Sequence, residues 1–249
     1  MNPNAVAPSP ASGLQGQNVV IFGGTSGIGL AAAVQATAAG ASVIVIGSDA
    51  ERARQTAQAN GLAGWRAADV TRREQIDAAL ADIERVDHLV LLAGSFVAGR
   101  IMDTDVDHLR RAFEERVWAA VHALRALGDK LSKNGSVTLI SGSLADRPNA
   151  YGTAVLASAS AAMEALARGL ALELAPVRVN TLSPGPINTP ILAKAMGEGR
   201  DAFIASLEQA LPLHRLGSAE EAGDAVVFLM ANTFMHGAVL NIDGGARLV

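Results

Sequence analysis

Residues 18–29 read Asn-Val-Val-Ile-Phe-Gly-Gly-Thr-Ser-Gly-Ile-Gly, and this stretch decides the fold. A β-branched run ends at Phe22, glycines follow at positions 23, 27 and 29, and an Ala-rich segment with helical periodicity comes next. Such a strand–turn–helix unit directs backbone N–H groups and a positive helix terminus toward a diphosphate, while small residues let the ligand approach closely. An ordinary tight connection between a strand and a helix is the alternative.

The same alternation of strand and helix patterns continues along the chain. Short β-branched runs alternate with longer Ala- and Leu-rich segments, which is typical of repeated βαβ units around a buried parallel sheet. We predict strands at residues 18–22, 42–46, 65–68, 88–92, 136–140, 178–182 and 238–241, and helices at residues 28–39, 50–60, 72–84, 106–127, 153–174 and 219–230. The fold class is therefore α/β: a Rossmann-type, doubly wound, seven-stranded parallel sheet with helices on both faces.

Length and composition favour a single domain. The chain has 249 residues, of which 50% are hydrophobic and 18% are charged, so it can build one large core. We expect residues 1–14, rich in Pro, Asn, Ser and Ala, to be a flexible N-terminal tail and residues 15–249 to be the dinucleotide-binding domain. The least regular segment, residues 183–211, contains Pro184, Pro186 and Pro190 and then a stretch punctuated by Gly197 and Gly199. We expect this segment to cover a cleft and to move.

Charge and cysteine content exclude several classes of partner. The formal net charge is −4 and no cluster of Lys and Arg occurs, so nucleic acid is not an expected partner. The chain has no cysteine, which excludes disulfides, thiolate nucleophiles and cysteine-ligated zinc and fits a cytoplasmic location. The N-terminus lacks the basic start and apolar stretch of a signal peptide, and polar residues interrupt the Ala-rich segment after Tyr151, so we expect no membrane association.

The chain offers no convincing metal site. Asp103, Asp105, Asp107 and Glu114 have the offsets of a calcium loop, but His108 stands where that loop requires glycine. The acidic residues are better explained as the favourable start of a long helix. The five histidines show no paired metal-ligand spacing.

Several ordered motifs resemble those of the short-chain dehydrogenase/reductase family, over about residues 16 to 248. Besides the glycine spacing, Asp69-Val70 resembles the family's adenine-contacting pair and Ala93-Gly94 the end of its Asn-Asn-Ala-Gly turn. Asn180, Pro184-Gly185, Ile187 and Thr189 resemble the segment that holds the nicotinamide and diphosphate, and Asp243-Gly244-Gly245 resembles the C-terminal turn. The cofactor-binding residues implied are Gly23, Thr25, Ser26, Gly27, Ile28, Gly29, Ser48, Asp69, Val70, Ala93, Gly94, Pro184, Gly185, Ile187 and Thr189.

The end of the second strand bears on which nicotinamide cofactor is used. An NAD site usually has an acid there to hold the ribose 2′-hydroxyl, whereas an NADP site offers a cation or small donors to the 2′-phosphate. By the resemblance, Gly47 stands at the acid position and Ser48 at a position where NADP-selective Arg is common, which slightly favours NADP(H) over NAD(H). Asp49 could contact a ribose hydroxyl or, as we prefer, cap the next helix. Arg52 and Arg54 are the nearby cations, and the alternative interpretation is that they are solvated residues on the surface of the next helix.

The catalytic set of the family is largely replaced in this chain. Hydride transfer to a carbonyl forms an alkoxide, so a reductase needs a proton donor and a positive charge that keeps this donor acidic. The family uses Tyr and a Lys four residues later, but the resemblance places Leu156 and Ser160 at these positions. Leucine has no proton to donate, and a serine hydroxyl carries no charge.

The other two catalytic positions of the family are also changed or ambiguous. Ser143, 13 residues before Leu156, matches the family's Ser, with Ser141 as the alternative. Arg116 falls at the Asn position, and Leu91-Leu92 replace the Asn-Asn of the preceding turn. The catalytic candidates are therefore Ser143, with Arg116 as a substitute cation and Tyr151 as a substitute phenol. We prefer the structural alternative for the last two: Arg116 in an ion pair with Glu114 or Glu115, and Tyr151 as a loop aromatic.

The resemblance implies an NAD(P)(H)-dependent oxidoreductase that acts on a small carbonyl or alcohol with a degenerate catalytic site. The alternative is a catalytically silent NAD(P)(H)-binding protein, acting as a cofactor sensor or partner subunit. Residues 153–174 and the helix with Trp118 resemble the family's four-helix dimer contact, so we expect a homodimer or homotetramer. The small residues Ala157, Ala161 and Ala165 would allow close helix approach, although this helix could simply pack on its own sheet.

Overall fold

The computed structural model describes residues 13–192 and 200–249 and contains seven strands within these ranges. The strands are β1 (Asn18–Phe22), β2 (Ser42–Gly47), β3 (Gly64–Ala67), β4 (Val86–Leu91), β5 (Leu131–Ile140), β6 (Arg178–Pro184) and β7 (Val239–Ile242). The helices are α1 (Gly27–Ala38), α2 (Ala50–Ala59), α3 (Arg73–Leu80), α4 (Val106–Phe113), α5 (Ala119–Leu127), α6 (Ala154–Glu173), α7 (Arg200–Ala210) and α8 (Ala219–Ala231). A π-helical turn, Glu114–Trp118, joins α4 to α5.

All seven strands form one parallel sheet in the order β3-β2-β1-β4-β5-β6-β7. The chain runs outward from β1 to β3, then returns to pair β4 with the other side of β1. This reversal is the topological switch point, at whose carboxyl edge ligands bind in doubly wound sheets. The predicted fold class is confirmed.

The sheet is buried on both faces, which explains why its strands are apolar runs without strict alternation. Phe22 and Val20 face a core built with α3, α5 and α6, while Ile21 and Val19 face a second core built with α1 and α8. Because successive side chains point to opposite faces, β1 anchors both cores at once. The position of the loop after Phe22 is therefore fixed by packing on two sides.

The structure corrects several predicted boundaries. β5 begins at Leu131, five residues earlier than predicted, and α3 ends at Leu80 instead of continuing to residue 84. The single helix predicted over residues 106–127 is interrupted by the π turn. The prediction of an irregular segment over residues 183–211 was wrong for Arg200–Ala210, which form α7 because this stretch contains no proline or glycine. Residues 193–199, with Gly197 and Gly199, lie outside the described residues.

Packing at the N-terminus begins before the predicted domain boundary. Leu14 is fully buried in the core beside α1 and α8, and Gly13 lies next to Ala231. The packed domain therefore includes Gly13 and Leu14, which the sequence analysis assigns to the tail. Residues 1–12, which are most of that predicted tail, lie outside the described residues.

Helix α6 is long and apolar enough, by length and composition, to cross a membrane. Core helices pass the same test, and in this fold α6 packs on β5 and β6 through Met163, Ala167 and Ala171. Burial against the sheet thus accounts for its sheet-facing apolar residues, while 39% of its apolar stretch as a whole is buried.

A buried polar network lies near the amino ends of the central strands. His88 of β4 is 2% exposed, and its Nδ1 lies 2.7 Å from the hydroxyl of Ser136, while its Nε2 hydrogen-bonds with Gln17. The pKa of His88 is lowered from its ordinary value of 6.5 to about 4, chiefly by burial and also by the nearby charge of Arg178, against the opposing charge of Asp87. His88 is therefore neutral in the folded protein near neutral pH.

This network predicts a pH dependence of stability. Because the pKa of His88 is lower in the folded than in the unfolded state, the unfolded state binds the proton more readily between pH 6.5 and pH 4. The free energy of unfolding should therefore fall by about 2 kcal/mol from His88 alone between pH 7 and pH 5. Urea titrations of the wild type and His88→Gln at both values measure this, and the variant should show a smaller fall. Equal falls in the two proteins would contradict the assignment.

Candidate cofactor and active site

The loop after β1 is held at the switch point by backbone packing. Gly23 has φ +77°, and a Cβ on it would lie 2.8 Å from the amide nitrogen of Ala93 in the turn after β4. A Cβ on Gly29 would overlap the carbonyl oxygen of Gly23. Glycine is therefore required at both positions, because β1, β4 and α1 converge there with no room for side chains.

The N-terminus of α1 is free to bind an anion within the part of the chain that the structure describes. Its N-cap residue, Ser26, makes no capping hydrogen bond with its side chain and is exposed, and the first turn contains no acidic residue. The segment after β6 reaches this loop, since a Cβ on Gly27 would lie 3.1 Å from Cγ2 of Thr189. Two predicted parts of the cofactor site, far apart in sequence, thus meet at one helix end.

The end of β2 has little room for an acidic side chain. A Cβ on the buried Gly47 would lie 2.6 Å from Cγ2 of Thr25, which covers this position. Asp49 caps α2 by accepting a hydrogen bond from the amide of Arg52 at 2.8 Å, as we preferred from the sequence. Arg54 forms an ion pair with Glu51 at 2.5 Å, so its charge is engaged on the helix surface. Ser48 remains exposed beside this edge.

Asp69 and Val70 follow β3 and differ in their surroundings. The Asp69 carboxylate accepts hydrogen bonds from the amide and hydroxyl of Thr71, at 2.9 and 2.8 Å, and the residue is exposed. Val70 is half-buried and lines a cavity at the carboxyl ends of β1, β4 and β5. The carboxylate of Asp69 thus organises its own turn while remaining accessible.

The turn after β4 is held by two adjacent residues of the π turn. The Glu115 carboxylate accepts hydrogen bonds from the amide and the hydroxyl of Ser95, both at 2.6 Å. Arg116 donates from Nη2 to the Ser95 carbonyl oxygen at 2.9 Å. The amide and the carbonyl group of Ser95, which follows Ala93 and Gly94 in the chain, are therefore both held by the π turn. A π turn re-aims side chains in this way and is frequent at functional sites.

Arg116 does not form the ion pair that the sequence suggested. Glu115 pairs with Arg111, at 2.6 Å from Nη2, and Arg116 donates to the carbonyl oxygens of Ser95 and Ala112. The guanidinium lies against Gly94, where a Cβ would be 3.2 Å from Cζ. Burial lowers the pKa of Arg116, and the nearby charge of Glu115 partly opposes this, although the side chain as a whole keeps some solvent exposure.

A small cavity of about 10 Å³ lies beside the Arg116 guanidinium. Its volume is close to that needed for one water molecule. The lining residues come from the ends of three central strands, the π turn and helices α5 and α6: Phe22, Val70, Leu91, Ala93, Glu115, Arg116, Ala119, Ala120, Ile140 and Met163.

The structure separates the two serine candidates. The Ser141 hydroxyl is turned into α6, where its single proton has two acceptors within reach, the Ser160 carbonyl oxygen at 3.0 Å and the Glu164 carboxylate at 2.8 Å. Ser143 begins the short turn Ser143–Ala145 after β5 and is half-buried. Of the two hydroxyls, that of Ser141 is therefore the one engaged by α6. Tyr151, by contrast, is 80% exposed in the loop before α6.

The comparisons with known proteins agree with this architecture. A family model described as enoyl-(acyl carrier protein) reductase matches residues 23–247. The chain is 32% identical to the short-chain dehydrogenase/reductase ucsE of Acremonium sp, over 98% of this chain and 100% of that protein. This chain belongs to the short-chain dehydrogenase/reductase family.

Two further similarities bear on function. The cyclic-di-GMP-binding biofilm dispersal mediator protein of Escherichia coli is 30% identical, over 92% of this chain and 96% of its own. The crystal structure of L-sorbose reductase from Gluconobacter frateurii, complexed with NADPH and L-sorbose, superimposes with a TM-score of 0.88 at 27% identity. It covers 96% of this chain and 99% of that one. Short-chain dehydrogenases/reductases are NAD(P)-dependent oxidoreductases that act on small molecules.

The positions that the family resemblance assigns to Tyr and Lys are buried in this structure. Leu156 and Ser160 are 3% and 4% exposed on α6, and with Met163 they follow the spacing of one helix face. Met163 lines the cavity beside Arg116. By the resemblance, the positions expected for the family's Tyr and Lys therefore carry a hydrocarbon side chain and a hydroxyl.

The structure also places the remaining predicted cofactor residues. Pro184 ends β6, and the Gly185 amide donates to the Ile242 carbonyl oxygen at 3.0 Å. A Cβ on Gly185 would lie 2.7 Å from Cα of Asp243, so the C-terminal turn packs directly on this segment. Ile187 is buried and bridges to Gly217. Ile28 is half-buried in the first turn of α1.

Sequence reasoning missed the roles of Ser95 and Glu115. The available signal was a carboxylate beside Arg116, but its partner on the loop could not be identified from spacing. The contact joins two residues that are 20 positions apart in the sequence. It depends on a π turn that the sequence pattern did not predict.

The close packing around Gly29 predicts that any larger residue at this position destabilises the protein. Gly29→Ala should lower the free energy of unfolding by about 1–3 kcal/mol, because the new methyl group overlaps the Gly23 carbonyl. It should also weaken nucleotide binding. Gly169→Ala is the matched control, because a Cβ on this exposed α6 residue meets nothing within 4 Å. The control should stabilise the protein by about 0.5–1 kcal/mol. Urea unfolding and calorimetry measure both effects, and a Gly29→Ala protein as stable as the wild type would refute the packing argument.

Proposed function

We propose that this protein is an NADP(H)-dependent oxidoreductase that transfers hydride between the nicotinamide and a small carbonyl or alcohol. The observation that carries the proposal is the uncapped N-terminus of α1, placed by Gly23 and Gly29 at the switch point of the sheet. Backbone N–H groups and the helix dipole at this point suit a dinucleotide diphosphate. Thr189, from the segment after β6, closes the same pocket.

The preference for NADP(H) is supported by the absence of an acid at the end of β2. Gly47 offers no carboxylate to hold a ribose 2′-hydroxyl or to repel a 2′-phosphate, and Thr25 occupies the adjacent space. The exposed Ser48 hydroxyl can donate to a phosphate oxygen. The similar L-sorbose reductase is described in complex with NADPH.

The chemistry expected at this site is weaker than in a complete family member. The reduced cofactor, when bound, supplies the hydride. Ser143 would donate a hydrogen bond to the substrate oxygen, and the fixed charge of Arg116 would stabilise negative charge nearby. Arginine does not release its proton near neutral pH, so a water molecule would complete proton transfer. The exposure of Tyr151 argues against a direct role for its phenol.

The second candidate is a catalytically silent NAD(P)(H)-binding protein. The buried Leu156 and Ser160 favour it, because neither side chain can replace the missing acid. The Escherichia coli relative is named for binding and for biofilm dispersal, with no reaction in its name. Under this alternative the nucleotide pocket is kept and the protein acts as a cofactor sensor or partner subunit.

We also propose a cytoplasmic homodimer or homotetramer. The support is the set of exposed apolar side chains on α4, the π turn and α6, which include Val106, Trp118 and Leu172 at 66%, 50% and 85% exposure. Exposed apolar surface on neighbouring helices is typical of subunit contacts. The absence of cysteine supports the location.

Gly47 provides a test of cofactor selectivity. Gly47→Asp should weaken NADPH binding at least about tenfold relative to Gly47→Ala, because the new carboxylate repels the 2′-phosphate. The Ala variant is the control for crowding against Thr25. NADH affinity should be no weaker in Gly47→Asp than in Gly47→Ala, because the carboxylate can accept a hydrogen bond from the ribose 2′-hydroxyl. Calorimetric titration with each nucleotide measures the ratio, and equal NADPH affinity of the two variants would contradict the assignment.

Substitution of Ser143 tests whether the protein catalyses hydride transfer. In single-turnover reactions with a panel of carbonyl compounds, Ser143→Ala should slow NADPH oxidation by about a hundredfold with little change in NADPH affinity. Ser141→Ala is the control: its hydroxyl bonds to α6, so the variant should lose about 1 kcal/mol of stability and keep its hydride-transfer rate. Tight NADPH binding by the wild type without oxidation by any carbonyl would decide for the silent alternative.

A further inference from the structure

The electrostatic surroundings of Arg116 are unusual for a desolvated cation. Its guanidinium donates to two neutral carbonyl oxygens, those of Ser95 and Ala112. The carboxylate next to it in sequence, Glu115, is bound to Arg111 and to Ser95. Arg116 therefore has neutral hydrogen-bond partners, and its charge is offset by Glu115 only through space.

This charge lies at the edge of the sheet where the proposed cofactor site is built. The guanidinium packs against Gly94, and a Cβ there would be 3.3 Å from Nη1 and Nη2. It also lines the cavity with Phe22, Leu91 and Ile140, at the carboxyl ends of β1, β4 and β5. The family resemblance assigns a neutral Asn to position 116, so the positive charge is a feature of this chain.

The two redox states of a nicotinamide cofactor differ in charge at one place. The oxidised ring is a cation and the reduced ring is neutral, while the phosphates, riboses and adenine are the same. A fixed positive charge near the ring therefore raises the energy of the oxidised complex and leaves the reduced complex nearly unchanged. The interaction of partly buried charges is screened less by salt than that of surface charges.

We propose that Arg116 makes this protein discriminate between the redox states of its cofactor, so that it binds the reduced dinucleotide more tightly than the oxidised one. This inference rests on the proposed nucleotide binding, and it holds for the oxidoreductase and for the silent alternative. In an oxidoreductase, Arg116 favours reduction of the substrate and release of the oxidised cofactor. In a catalytically silent protein, Arg116 makes the occupancy of the pocket depend mainly on the concentration of the reduced nucleotide.

Neither the net charge of the protein nor the carboxylate next to Arg116 produces this preference. The net charge of −4 acts in the opposite sense, because it attracts the more positive, oxidised form. Glu115 lines the same cavity, and its carboxylate also favours a cationic ring. The discrimination is therefore assigned to Arg116, with Glu115 reducing it.

Calorimetry with NADPH and NADP⁺ tests the proposal without any substrate. The wild type should bind NADPH on the order of tenfold more tightly than NADP⁺. Arg116→Gln should bring the two affinities close together, whereas Arg116→Lys, which keeps the charge, should retain a preference for NADPH. Glu115→Gln, which removes the opposing carboxylate, should increase the ratio of the two dissociation constants.

The ratio of the dissociation constants for NADP⁺ and NADPH distinguishes an electrostatic role of Arg116 from a structural one. If Arg116 only held the Ser95 turn in place, Arg116→Gln would weaken both nucleotides by the same factor and the ratio would be unchanged, which would overturn the proposal. Equal affinities in the wild type would also overturn it. If Arg116→Gln does not fold, the wild-type ratio and its increase in Glu115→Gln remain decisive. Failure of the proposed function is a different result: the wild type would bind neither nucleotide.

Discussion

The backbone contact between the loop after β1 and the turn after β4 is the constraint on which the site depends. Gly23 leaves no space for a side chain against Ala93, and Gly29 leaves none against Gly23. The reversal of strand order brings these two segments together, because β4 pairs with β1 and not with β3. The uncapped end of α1, the Ser95 turn and the cavity beside Arg116 all take their positions from this contact.

The proposed site combines a nucleotide pocket with few groups that could transfer a proton. Backbone groups and glycines dominate the proposed pocket, so its geometry is stiff and tolerates little change. Side chains dominate the proposed catalytic part, where the resemblance aligns Leu156, Ser160 and Arg116 with the family's Tyr, Lys and Asn. Under this proposal the positive charge stands on the π turn, where Arg116 donates to carbonyl oxygens and can polarise a substrate but cannot donate a proton.

Much of the architecture could be predicted from local patterns. The bounds of β1 were predicted at both ends, and those of α2 to within one residue, because apolar runs and capping residues such as Asp49 are local signals. The π turn and the early start of β5 were missed, since they involve contacts with distant segments. Helix α7 was missed because the prolines and glycines before it made the whole segment look irregular. At the site, Asp49 was correctly preferred as a cap, whereas the preferred ion pair of Arg116 was wrong: its nearest carboxylate is bound to Arg111 and Ser95.

The sequence alone determined the fold class, the position of the glycine-rich loop after β1 and the identity of the groups available for chemistry, because these follow from periodicity, glycine spacing and residue type. Only the tertiary structure decided how those groups are paired. It showed that the Ser141 hydroxyl faces α6, that Tyr151 lies on the surface and that Arg116 contacts carbonyl oxygens beside Gly94. Hydrogen bonds and ion pairs form between whichever groups packing brings within about 3 Å, and that proximity is a property of the folded chain.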